Sequence, residues 1–353
     1  MEGGYRVLMI TTGWPAPDGT SQFIKRQAEF LQAAGVDLDV FYFRAKKNVL
    51  SYVRAWFEVR RRLRSGRYDL IHAQYGQSGL MALPKRLPYV VTLRGCDLLG
   101  TVSDIDGRYT WMGRLNQFLT RVVAARADAV ILVSAHMKES LGRSRRTYVI
   151  PSGINFDLFK PIPQDAARER LGFGKDEKLI LFVGNPDQAR KRFALAKAAV
   201  DVLNRRVPAR LVIGWGVRHT DIPVYMSACN ALLFTSMQEG SPNVVKESLA
   251  CNLPVVSVPV GDVGERIGKV EGCELVRDET PDAIAAALER VVGREARVDG
   301  RSAVMHLSET MTTQKVISIY QTILAEQPSP STLRRPAAAG SGSIAQPENR
   351  AVT

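Results

Sequence analysis

The sequence has no run of about eighteen apolar residues, so no segment reads as a membrane-spanning helix. Cysteine is scarce, and Cys96, Cys229, Cys251 and Cys273 stand in neither metal-ligand nor redox-pair spacing. His72, His136, His219 and His306 likewise show no ligand spacing. No Gly-x-Gly-x-x-Gly follows the first apolar run, and "GWGVRH" (214–219) is a lone Gly-x-Gly. A Walker-type phosphate loop and a Gly-x-Ser-x-Gly nucleophile elbow are also missing, which disfavours hydride transfer, ATP hydrolysis and Ser-His-Asp chemistry. The opening "MEGGYRVLMITTGW" holds too short an apolar stretch for a signal peptide. With scattered, reduced thiols, the expectation is a cytoplasmic protein, with the inner face of the cell membrane as a peripheral location.

Acidic residues are in short supply: 35 Asp and Glu face 48 Lys and Arg, a net charge of +13. Residues 1–150 hold 23 Lys and Arg against 12 Asp and Glu, so most of the excess is N-terminal. Such a surface suits an anionic partner, or is simply a solvated basic face. No groove of stacking aromatics points to nucleic acid.

Apolar β-rich runs alternate with helical patterns from end to end. Residues 6–13, 37–44, 69–74, 89–95, 128–134 and 147–153 read as strands, and the pattern restarts at 178–184, 210–216, 231–236, 254–261 and 273–277. Near-continuous apolar strands separated by helices predict two parallel sheets buried on both faces, an α/β architecture. The expected organisation is a domain over 1–160, a second over 161–308, a last helix over 309–326 and a disordered Pro/Ser/Ala/Gly-rich tail over 327–353. A linker is expected near 154–178. Ligands of doubly wound domains bind at the carboxyl ends of the strands, hence between the two.

The stretch "EGSPNVVKE" (239–247) separates two glutamates by seven residues at the head of a helical pattern. Ser241 reads as an N-cap and Pro242 as the first helical residue, with Asn252 and Pro254 ending the helix. The free amides of such a first turn and its dipole form a ready phosphate site. Glu239 would precede the helix and Glu247 would fall in its second turn. A glycosidase pair is one alternative, but it needs carboxyl groups about 5–9.5 Å apart across one bond. Carboxylates beside a phosphate are tolerated when they accept from hydroxyls, so the constellation suits a nucleotide sugar. An ordinary capped helix with two surface glutamates is the other reading.

The sequence resembles the retaining glycosyltransferases of family four, of the GT-B fold, through this glutamate pair and the following "SLACNLPVVSV". "YDLIHAQYG" (68–76), "ADAVILVSAHM" (127–137), "VIPSGINFDLF" (149–159) and "LFVGNPDQARKRFALA" (181–196) resemble further family segments. The resemblance implies two Rossmann-like domains facing across a cleft, with a C-terminal helix crossing back to the first domain. It implies that Glu239 meets hydroxyls of the transferred sugar and Glu247 those of the ribose. Amides around Gly240, Ser241, Pro242, Asn243 and Val244 would hold the diphosphate. Lys191 matches the lysine that neutralises the leaving group. Asn185 stands where the family usually has Arg, and Arg190 is the candidate for the missing charge. Gly19, in "PAPDGTSQF", resembles the glycine loop that approaches donor and acceptor.

Two departures stand out. "TLRGCD" places Arg94 where the family often has a histidine. Arginine is a permanent cation, fit to bind a hydroxyl, carboxylate or phosphate or to pair structurally with Asp97, and unfit for acid–base work. The segment between "VIGWG" and "SACNALLFTS" is short by about one strand and helix, in the region that usually shapes the base pocket.

The expected activity is retaining, metal-independent hexosyl transfer from a nucleotide sugar to a hydroxyl of a saccharide or lipid-linked acceptor, as in bacterial surface polysaccharide, lipopolysaccharide or glycolipid synthesis. No cofactor is expected. The alternatives are an epimerase or phosphorylase on the same fold, or a non-catalytic sugar- or polyanion-binding protein. Asp104-x-Asp106 resembles a metal-holding pair but reads as an acidic loop. In the basic stretch 44–67, Leu50, Val53, Trp56 or Phe57, and Val59 or Leu63 form a stripe expected to pack on the sheet, leaving a basic face for an anionic bilayer.

Overall fold

The structure is a computed structural model that describes residues 4–12, 22–44, 49–103, 108–294 and 296–327. Gly19, Asp104, Asp106 and the tail beyond 327 lie outside the described residues.

The first sheet comprises β1 (Arg6–Thr11), β2 (Asp37–Tyr42), β3 (Leu70–Gln74), β4 (Tyr89–Leu93), β5 (Ala129–Leu132) and β6 (Thr147–Val149), in the order β2-β1-β3-β4-β5-β6. All pairings are parallel. Its helices are α1 (Gln22–Ala33), α2 (Val49–Ser65), α3 (Gly76–Gly79), α4 (Cys96–Leu99), α5 (Trp111–Arg126) and α6 (Lys138–Leu141). The second sheet comprises β7 (Lys178–Phe182), β8 (Ala209–Ile213), β9 (Ala231–Phe234), β10 (Val255–Ser257) and β11 (Glu274–Leu275), in the order β11-β10-β9-β7-β8, again parallel. Around it lie α7 (Gln164–Leu171), α8 (Phe193–Leu203), α9 (Ile222–Ala228), α10 (Asn243–Ala250), α11 (Val263–Ile267), α12 (Pro281–Val292) and α13 (Gly300–Val304), followed by α14 (Glu309–Ala325).

Alternation along each strand feeds two cores. Leu8 and Ile10 of β1 pack with Ala55 and Val59 of α2 and Val123 of α5, whereas Val7 and Met9 face Ile24 and Leu31 of α1. That second face is completed by Val316, Ile319, Tyr320 and Ile323 of α14, the helix crossing back from the C-terminal half. The Ser308 hydroxyl caps α14 by accepting from the Met311 amide at 3.2 Å. In the core, His72 is wholly buried, with Nδ1 2.5 Å from the Tyr320 hydroxyl and Nε2 2.7 Å from Thr92 Oγ1. Desolvation, then the nearby Arg94 charge, pushes its pKa down to about 3, so it stays neutral as a structural residue.

Two local expectations are corrected. The expected linker contains α7, which packs on α9. Its anchor is Arg168, buried and donating to the carbonyls of Ala228 (3.0 Å) and Glu177 (2.8 Å) and to Asn230 Oδ1 (3.0 Å). The α2 stripe is as expected at Trp56, Val59 and Leu63 but not at its first turns. Leu50, Val53 and Phe57 point to solvent, while Tyr52, Ala55, Trp56, Val59 and Leu63 pack inward. Arg60 is buried beside them: its Nη2 donates to the Pro84 carbonyl at 3.0 Å and its guanidinium lies over the Trp56 ring. An aromatic face and a carbonyl make burial of that cation tolerable.

Candidate active site

The loops after β4 and β9 meet where the two domains face. At Gly240 an added Cβ would lie 2.5 Å from the Arg94 carbonyl oxygen, and at Gly95 (φ +132°) it would lie 3.0 Å from the Gly240 amide nitrogen. Only glycine admits this backbone-to-backbone approach. It places Arg94 and Glu239 on opposite sides of one seam.

The turn after β7 brings the cations. Asn185 shapes it, Oδ1 accepting from the Asp187 amide at 3.0 Å. Thr235 Oγ1, past the end of β9, donates to the Lys191 carbonyl at 2.9 Å, and the Met237 amide donates to the Arg190 carbonyl at 2.9 Å. So pinned, Lys191 Nζ donates to Glu239 Oε1 at 2.5 Å and Arg190 Nη1 to the same oxygen at 3.2 Å. The expected sugar-binding carboxylate and phosphate-binding lysine are thus each other's partners.

The head of α10 differs from expectation. Pro242, at φ −67° and ψ 119°, occupies the cap position, and the helix begins at Asn243. Ser241 is not the cap: its hydroxyl donates to Asp262 Oδ2 at 2.9 Å. Asp262 is buried and also accepts from Arg266 (2.7 and 2.9 Å), so a charge-assisted bond turns the serine toward it, one residue ahead of the cap position. With no side-chain cap at Pro242, the first-turn amides of α10 keep their donors free of side-chain acceptors.

Glu247 faces a cleft of about 860 Å³ lined from both domains, among others by Phe23, Arg26, Tyr75, Asn155, Phe159, His219 and Asn243. His219 Nε2 lies 3.6 Å from Glu247 Oε1, and its ring meets Phe159 edge to face at 5.3 Å. The nearby Glu247 carboxylate raises the imidazole pKa, outweighing desolvation. Among the described residues, buried Asn243 Oδ1 has no hydrogen-bond partner. Across the cleft, Arg26 holds Glu309 of α14 through two bonds of 2.9 and 2.6 Å. Sequence reasoning passed over His219; its only signal was the place of "GWGVRH" after a strand of the second sheet.

Arg94 pairs with Asp97 only through its backbone amide, at 3.1 Å. The guanidinium instead donates to Gln74 Oε1 (2.7 and 3.1 Å), Gln27 Oε1 (2.8 Å) and Ser152 Oγ (2.9 Å), above the Phe23 ring at 4.6 Å. All of these partners are neutral. Lys246, unremarked in the sequence, is buried within α10 and donates to the Ser152 carbonyl at 3.1 Å. Desolvation brings its pKa down to about 8. Ser152 therefore links half-buried Arg94 to buried Lys246.

Residues 2–158 match the family model described as Glycosyltransferase Family 4, and residues 177–294 that described as Glycosyl transferases group 1. Among curated relatives, the putative teichuronic acid biosynthesis glycosyltransferase TuaC of Bacillus subtilis is 26% identical over 248 residues, covering 63% of this chain and 61% of the relative. The D-inositol 3-phosphate glycosyltransferase of Nocardiopsis dassonvillei is 26% identical over 275 residues, covering 65% of this chain and 63% of the relative. The chain thus spans just over three fifths of these relatives' length. Among solved structures, the sucrose-phosphate synthase of Thermosynechococcus elongatus superposes with a TM-score of 0.77 at 20% identity, covering 92% of this chain and all of that one. HepE of Anabaena, solved in complex with UDP-glucose, gives 0.64 at 16% identity, covering 90% and 99%. These structural likenesses establish the two-domain GT-B fold.

Proposed function

We propose, from the match of residues 2–158 to the Glycosyltransferase Family 4 model and of residues 177–294 to the Glycosyl transferases group 1 model, that the chain transfers a sugar, with retention, from a nucleotide-diphosphate sugar to a hydroxyl of a saccharide or lipid-linked acceptor. The observation that carries the reading is the convergence of Lys191, Arg190 and Glu239 beside the uncapped head of α10. In the transfer, the bond from the anomeric carbon to the diphosphate oxygen breaks and a bond to the acceptor oxygen forms on the same face. The acceptor proton ends on the departing phosphate or on solvent.

Each residue has a role in that step. Lys191 and Arg190 meet the charge growing on the diphosphate, together with the amides of Gly240, Ser241, Asn243 and Val244. Preorganised donors of this kind are worth about 10²–10³ in rate apiece. Glu239, held by those cations, accepts from hydroxyls of the transferred sugar. Glu247 accepts from the ribose, with His219 orienting it and Phe159 walling the cleft. Arg94 holds the sugar side of the seam. Asn185 serves by shaping the turn, and Gly19 belongs to the loop expected to approach the donor.

A uridine diphosphate sugar is the first donor to test, because HepE was solved with UDP-glucose. Calorimetry with a panel of nucleotide sugars, followed by turnover of the best binder by wild type, Lys191→Ala and Glu239→Ala, tests the proposal. The expected result is binding by wild type and turnover reduced at least about a hundredfold in both variants. Turnover near wild type in either variant, or no donor bound from the panel, overturns the site assignment.

A further inference from the structure

The outward faces of two helices in the N-terminal domain are apolar where solvated helices are polar. Along α5, Trp111, Met112, Leu115 and Phe118 recur at helical spacing and are exposed, Trp111 at 72% and Phe118 at 61%. Along α2, Leu50, Val53 and Phe57 do the same, Phe57 at 63%. An amphipathic surface helix turns such residues inward. Isolated exposed apolar side chains are ordinary, but two aligned sets are not. Both helices pack on the same face of the first sheet, with α3 and the turn at 80–82 between them.

Among the described residues, the charge on these faces is predominantly positive. Exposed Arg114 and Arg121 interleave the α5 set, and Arg54, Arg61 and Arg64 the α2 set. The α5 sequence holds no Asp or Glu. The one acid of α2, Glu58, accepts from Arg61 at 2.8 Å and Arg62 at 3.1 Å. Apolar side chains set among arginines that outnumber the acids match a bilayer with an anionic surface, where acyl chains take the first and phosphates the second. A second copy of the chain would bring like charges together.

The face also adjoins the cleft. Tyr109, half-exposed and just ahead of the Thr110 cap of α5, accepts a hydrogen bond from Gln238 Nε2 at 3.3 Å. Gln238 is the neighbour of Glu239 in the chain.

We infer that α5, assisted by α2, docks this protein on an anionic lipid bilayer. Trp111, Met112, Leu115 and Phe118 enter the interface and the arginines lie on the lipid phosphates. The rim at Tyr109 and Gln238 is thereby presented to an acceptor hydroxyl carried by a lipid. Only that last consequence rests on the transferase reading; the docking does not.

Flotation of the full chain with vesicles of phosphatidylcholine alone, or mixed with phosphatidylglycerol, tests it without any activity assay. Wild type floats with the anionic vesicles, and high salt or Arg114→Gln with Arg121→Gln weakens the association. Trp111→Ser with Phe118→Ser lowers the partition at least about tenfold, while the melting temperature stays near wild type because both side chains are exposed. A wild type that does not float, or a serine pair that floats undiminished, overturns the inference. Sedimentation equilibrium covers the other occupant: self-association abolished by the serine pair, with no vesicle binding, would assign the face to a dimer instead. Vesicle binding with no donor bound would leave the docking standing and sink the transferase reading alone.

Discussion

Lys191 and Arg190 share a single carboxylate oxygen, Oε1 of Glu239, at 2.5 and 3.2 Å. Two cations on one oxygen tie the turn after β7 to the loop after β9, and they leave the carboxylate positioned before any sugar arrives. On the proposed function, a diphosphate entering here would compete with Glu239 for the same donors.

The sharing makes the two cations non-additive. Arg190→Ala leaves Lys191 on the carboxylate and should lower kcat/KM by about tenfold, whereas Lys191→Ala should lower it by about a hundredfold or more. The double variant should fall short of the product of the two by a measurable coupling. Steady-state kinetics of the four-member cycle gives that coupling, and strict additivity would mean that the cations act independently.

Gly240→Ala is expected to part the domains at the seam, since its Cβ would sit 2.5 Å from the Arg94 carbonyl oxygen, a backbone atom that cannot swing away. Donor turnover should drop by at least about tenfold with the far-ultraviolet circular dichroism unchanged. The same substitution at Gly4, which meets nothing within 4 Å, is the control and should be silent.

His72 sets the acid limb of the stability profile. Its pKa is about 3 in the folded protein against an ordinary value of 6.5. Between those values the unfolded chain binds the extra proton, so the stability is intact above about pH 6.5 and is lost as pH falls toward 3. His72→Gln should flatten thermal midpoints over that window; an unchanged slope would place the acid sensitivity elsewhere.

Lys246 acts at the opposite end. Its folded pKa of about 8 lies below the ordinary 10.5, so its contribution is complete above about pH 10.5 and is lost as pH falls to 8. Below pH 8 the buried charge costs on the order of 3 kcal/mol, partly offset by the bond to the Ser152 carbonyl. Lys246→Met should therefore raise the melting temperature at pH 7 by about 2–5 °C, with the gain shrinking at pH 10. A lower melting temperature at pH 7 would show that the bridge to Ser152 outweighs the desolvation.

How far the sequence foretold this structure depends on how local each cause is. The strands were legible because parallel strands buried on both faces leave unbroken apolar runs such as "DAVILVS", and α14 because its apolar spacing is unambiguous. The face of α2 was only half legible: Trp56, Val59 and Leu63 pack inward as expected, while apolar residues surround the helix and Arg60, which reaches the Pro84 carbonyl 24 positions away, is buried beside them. Ser241 misled for the same reason: its competing partner, Asp262, lies 21 residues downstream. The glutamate pair and Lys191 could be named from their pattern, but their mutual pairing, the His219 contact with Glu247 and the buried Lys246 emerge only when distant loops converge.

The crossing of α14 bears on the order in which the chain is made. Strands β1 to β6 are synthesised early, yet one face of their sheet, around Val7, Met9, Leu70 and Val90, needs Val316, Ile319 and Tyr320 from the far end of the chain. A nascent N-terminal half therefore leaves the ribosome with this face of its core uncovered until α14 has been made. Strands β1 to β6 are thus made ahead of the helix that seals one face of their sheet.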